Sequence, residues 1–73
     1  MSPAATKSRV LFAEALTWME TQFRELGKAE ESRALALHLL SATQGASLLA
    51  HVFRDASLVA TEAERLKLWI HQL

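Results

Sequence analysis

The sequence contains no cysteine, a single proline and only two glycines among 73 residues. Without cysteine, neither a disulfide nor a zinc ribbon can brace the fold. So few glycines and prolines leave few places for turns, and the expected fold class is all-α. Neither sign of charge dominates: eight Lys/Arg balance eight Asp/Glu, and no run of like charge occurs. A free-standing nucleic-acid binder normally shows a basic face, so no direct nucleic-acid binding is expected. No apolar segment of the signal-peptide kind follows Met1, which makes the cytoplasm the expected location. What is abundant is apolar side chain. Hydrophobic residues make up 51% of the chain and charged residues 22%, a balance that argues against disorder.

Size sets the first problem. Folding hides about 60% of the surface that an unfolded chain of this mass exposes, on the order of 7,000 Å². If roughly 60% of that is apolar, burial at about 25 cal/mol per Å² contributes on the order of 110 kcal/mol. Ordering the chain at roughly 1.5 kcal/mol per residue costs about the same. With cofactors, metal and disulfides all unindicated, very close helix packing or a partner must supply the margin.

Punctuation and periodicity divide the chain into three helices. Pro3 can open a helix, but the apolar period starts nearer Ser8, giving a first helix at about 8–26. Phe12, Leu16, Met19, Phe23 and Leu26 recur at spacings of four, three, four and three, with Ala15 and Gln22 flanking them. Glu14, Thr17, Glu20, Thr21, Arg24 and Glu25 take the other side, and Gly27 sits where a helix terminates. A polar connection, Lys28 to Ser32, leads to a second helix at about 32–54. Asp55 or Ser57 can cap a third at about 57–72, on which Val59, Ala63, Leu66, Ile70 and Leu73 repeat the four-three spacing.

The second helix differs from its neighbours. Ala34 to Phe53 is a 20-residue stretch without Asp, Glu, Lys or Arg. That is long enough to cross a bilayer, yet two His, one Gln, two Ser and one Thr interrupt it, and no aromatic belt flanks it. A soluble reading without membrane is therefore expected. On a helical wheel Leu35, Leu39, Ala42, Ala46, Leu49 and Phe53 form one apolar stripe. Leu37, Ser41, Leu48 and Val52 form a second about 120° away, edged by Leu40, Gln44 and His51. The other two helices can cover one stripe, and something outside the chain must cover the second. Ser41, Ala42, Gly45, Ala46 and Ser47 would let another helix approach closely, which accounts for a mid-helix glycine costing about 1 kcal/mol. Alternatively, Gly45 accommodates a bulky side chain from the first helix. The simplest outside partner is a second copy about a two-fold axis.

Residues able to do chemistry are few. His38, His51 and His71 match no metal-binding spacing and read as hydrogen-bonded or partly exposed interface histidines. Glu30, Glu31, Glu62 and Glu64 lie at helix starts, where the dipole favours carboxylates, rather than in a recess. No phosphate loop, activated serine or thiol is present, so an enzyme is not expected. Phe12, Trp18, Met19 and Phe23 read either as ordinary core or as the lining of an effector pocket for a hydrophobic small molecule. Arg65 lies one turn before Trp69, within stacking reach.

The segment ALALHLLSATQGASLLAHVFRD, followed by a capped helix ending ERLKLWIHQL, resembles the C-terminal end of TetR-type transcriptional regulators. The likeness is carried by Leu39-Leu40, Gln44-Gly45, Leu48-Leu49-Ala50, Phe53-Arg54-Asp55 and Leu66 with Trp69. The helix bearing Phe12, Trp18 and Phe23 is similar to the pocket-side helix that precedes this pair. Ala56 departs from the pattern, since such sequences often carry proline after the capping aspartate. The resemblance implies a three-helix domain that pairs as a symmetric dimer through a four-helix interface; two-sided burial of the second helix puts Leu37, Ser41, Gln44, Leu48, Leu58 and Trp69 at the expected contact. The resemblance also implies an effector-sensing role without a helix-turn-helix of its own. A stand-alone helical adaptor that binds another helical protein is the alternative.

Overall fold

The computed structural model describes residues 3–73, with side chains from Lys7 onward. Three helices follow one another: α1 (Pro3–Glu25), α2 (Ser32–Phe53) and α3 (Ser57–His71). The all-α class is as expected, and the boundaries of α2 and α3 fall within one residue of the sequence reading. The start of α1 does not. It begins at Pro3, five residues before the apolar period does, because proline fixes a helical φ and its missing N–H is not needed in a first turn. The chain divides into two compact units, Met1–His38 and Leu39–Leu73, so the long α2 contributes its opening turns to one and its remainder to the other.

Both helix ends that precede a turn close in the same way. After α1, the Lys28 N–H donates to the Phe23 carbonyl (2.9 Å) and the Gly27 N–H to the Arg24 carbonyl (3.0 Å), with Gly27 at φ 83°. This Schellman arrangement satisfies two carbonyls that the helix leaves without partners, and it needs a residue in the left-handed region. After α2 the pattern repeats: Asp55 N–H to the Ala50 carbonyl (2.9 Å) and Arg54 N–H to the His51 carbonyl (3.3 Å). Here the left-handed position is held by Arg54, at φ 52°, so this turn carries backbone strain that a glycine would relieve. The Asp55 carboxylate then accepts the Ser57 N–H (3.0 Å) and the Ser57 hydroxyl. Asp55 thus satisfies the first amide of α3 from just outside it, while the residue at the helix boundary is Ala56, with no side-chain bond of its own.

In the first unit Leu16, Phe23, Ser32 and Ala36 are buried, Ala36 completely. The Ser32 hydroxyl donates to the Ala29 carbonyl (2.9 Å), which removes the cost of burying it at the start of α2. Glu20 corrects the sequence reading, which placed it on the outer side of α1. Its side chain is only 14% exposed; it accepts from Arg33 at 2.7 Å and lies 3.6 Å from Arg24. Two guanidinium groups compensate a carboxylate at the margin of the buried stripe, and Arg33 joins the start of α2 to α1. In the second unit Ala46 and Leu66 are buried, with Leu58, Glu62, Trp69 and Ile70 half-buried along one side of α3.

Candidate functional site

The buried side of α2 is rotated from the stripe its sequence suggests. Ser32, Ala36 and Ala46 are buried, and Leu35, Leu39, Leu40, Ala42, Thr43, Gly45 and Ala50 are half-buried. Serine, alanine and threonine supply much of this sector because short side chains disappear from solvent with little apolar volume around them. Leu49 and Phe53, expected to complete the covered stripe, are instead exposed, Phe53 by 68%. The second stripe is left open as expected: Leu37, Ser41, Gln44, Leu48 and Val52 are all exposed, Leu48 by 61%.

Leu37, Leu48, Leu49, Val52 and Phe53 fall within an arc of about 160° on a regular helix, under half its circumference. The five side chains are between 44% and 68% exposed and make a largely apolar strip along the helix. The largest apolar patch on a monomeric protein is often a functional one. α2 is also the one helix among the described residues long and apolar enough to cross a membrane by length and composition, with mean hydropathy 1.2 over its most apolar window. Only 6% of that window is buried, whereas the central helix of a soluble core would be mostly buried.

A Cβ built at Gly45 meets no atom within 4 Å among the described residues, so the packing of its own unit does not require the glycine. In a helix interior glycine costs about 1 kcal/mol relative to alanine, and no contact within that unit accounts for it.

The remaining sequence-selected residues are dispersed. Leu58 and Trp69 on α3 are half-buried rather than open. Of the effector-pocket candidates, Phe23 is 3% exposed and belongs to the core, Met19 is half-buried and Phe12 is exposed. Trp18 lies about 120° around α1 from Phe12 and is 63% exposed. It borders an open, shallow and mostly apolar depression with Val10, Ala13, Glu14 and Thr17, on the side of α1 away from Leu16 and Phe23. The four aromatic and methionine residues are not gathered around one cavity. A second shallow depression, bordered by Ala50, His51, Arg54, Asp55, Ala56 and Val59, follows the α2–α3 turn. His38, His51 and His71 are exposed, and no group of three His, Asp or Glu among the described residues could hold a metal ion.

Sequence reasoning missed several exposed apolar side chains, notably Val10 and Leu11 on α1 and Leu68 on α3, the last 64% exposed. The wheel position of Leu68, well over 100° from Leu66 and Ile70, is the signal that could have flagged it. No family model matches this chain, and neither curated proteins nor solved structures yield a match.

Proposed function

We propose that this chain is a dimerisation module, pairing with a second copy through the outer face of α2 with a contribution from α3, in the manner of the C-terminal helices of TetR-type regulators. The observation that carries the reading is the open apolar face of α2, together with a glycine at which an added Cβ meets no described atom within 4 Å. A standard interface covers about 800 Å² per partner, of which roughly 65% is apolar in homodimers, about 520 Å². The exposed leucine, valine and phenylalanine side chains of α2 would contribute to that apolar area. Pairing also supplies the stability that so few buried side chains leave wanting. Effector sensing belongs to the same proposal, with Trp18 as the aromatic side chain placed to meet a hydrophobic small molecule on the outer side of α1.

Leu48→Glu provides the test. Leu48 is exposed in the single chain, so the substitution disturbs no packing within a copy while placing a carboxylate in the contact. Association measured by sedimentation equilibrium should weaken at least about a hundredfold. Unchanged association would remove the reading. Flotation of the unmodified chain with phospholipid vesicles addresses the bilayer that α2 could span by length: partition into vesicles in place of dimer formation would contradict the proposal. Ser41, Gln44, Ser47 and His51 along the helix favour a protein partner, which offers hydrogen bonds that lipid does not.

A further inference from the structure

If two copies pair through α2, their direction and register are set by what that helix carries. Glu30 and Glu31 precede it and Arg54 follows it; the other charges at its ends are engaged within the chain, Arg33 with Glu20 and Asp55 with Ser57, and no acidic or basic residue lies between Arg33 and Arg54 apart from His38 and His51. Among the described residues Glu31 and Arg54 enter no ion pair. In a parallel pair these charges meet their own kind at each end, and the two helix dipoles are aligned side by side. In an antiparallel pair each Arg54 lies toward the other copy's glutamates, and the dipoles oppose.

Register follows from side-chain size. Exposed Ser41 and half-buried Gly45, one turn apart, are small groups within the arc that carries Leu37 on one side and Leu48 and Val52 on the other. Closest approach of the axes belongs at this small pair, with the large side chains packing around it.

We propose that a second copy of this chain docks antiparallel along the outer face of α2, with Ser41 of each copy seated on the partner's Gly45. The two-fold axis then passes near position 43. Residue 54 of one copy falls opposite position 32 of the other, which brings Arg54 within side-chain reach of the partner's Glu31. Leu37 packs against the partner's Leu48 and Leu49. This arrangement rests on the dimer proposed above and adds its direction and register.

The absence of cysteine makes the test free of background. Leu37→Cys and Leu48→Cys alter exposed positions on the same face, and a disulfide forms where Cα atoms come within about 7 Å. In the antiparallel register, positions 37 and 48 of opposite copies adjoin. Two residues 37 stand about 18 Å apart, and two residues 48 about 15 Å, from the 1.5 Å rise per residue. Mixing the two variants under mild oxidation should give the 37–48 disulfide, with neither variant linking to itself. Self-linked 37–37 or 48–48 products would overturn the direction. A sedimenting dimer without the 37–48 link would overturn the register while leaving dimerisation intact, and a monomer at every concentration would remove both. Charge exchange gives a second reading: Arg54→Glu should weaken association roughly fivefold at low salt, and adding Glu31→Arg in the same chain should restore it. Failure of the double variant to restore association would contradict the proposed end contacts.

Discussion

Replacing Gly45 by alanine sets two effects of opposite sign against each other. Within one chain the substitution is favourable. Position 45 lies in the interior of α2, its φ is not in the left-handed region, and an added Cβ meets no atom within 4 Å. Alanine should therefore gain the helix-propensity difference, about 1 kcal/mol, which for a domain of this size raises Tm by roughly 4–8 °C. In the dimer the same methyl is inserted where the helices approach most closely, once from each copy. Overpacking costs about 1–3 kcal/mol per site, so the pair loses at least about 2 kcal/mol, or roughly thirtyfold in Kd. Urea denaturation at chain concentrations well below and well above the dimer Kd separates the two. Gly45→Ala should be the more stable protein when dilute and should lose that advantage when concentrated. Greater stability at every concentration, with association unchanged, would refute the assignment of Gly45 to a contact surface.

Three further substitutions test the local structure. Gly27→Ala places a Cβ at φ 83°, with no nearby atom to blame, so the expected loss of about 1–2 kcal/mol in thermal unfolding comes from backbone strain alone. Asp55→Ala removes the acceptor of the Ser57 amide and should cost about 1 kcal/mol, read as faster amide exchange in the first turn of α3. Arg33→Ala leaves the mostly shielded Glu20 with only the longer contact to Arg24; about 1 kcal/mol of stability should be lost, and a loss confined to low salt would show that the pair behaves as an exposed one.

The helices were legible because their signals are local. The four-three spacing on α1 and α3, Gly27 as terminator and Asp55 ahead of α3 each need only a few neighbouring residues to be read. The second apolar stripe of α2 was legible for the same reason, and Leu37, Leu48 and Val52 are indeed exposed. Which side of α2 is covered was legible only in part, because a helix apolar around most of its circumference gives periodicity little contrast to work with. Of the stripe assigned inward, Ala46 is buried and Leu35, Leu39 and Ala42 are half-buried, but Leu49 and Phe53 are exposed, and Ser32 and Ala36 are buried outside it. Glu20 was misplaced because its shielding depends on Arg33, 13 residues away, and sequence spacing does not reveal a partner at that range. The Phe12, Trp18, Met19 and Phe23 group failed to converge for a geometric reason: Trp18 is about 120° from the others' stripe, and a pocket cannot be lined from opposite sides of one helix.

The association state of the unmodified chain tests the central claim most directly. Sedimentation equilibrium across the micromolar range should fit a monomer–dimer system with a limiting mass of twice 8.1 kDa, shifting to monomer on dilution. A stable, folded 8.1 kDa monomer at every concentration would show that α2 keeps its apolar face in water without a second copy, and would contradict the account.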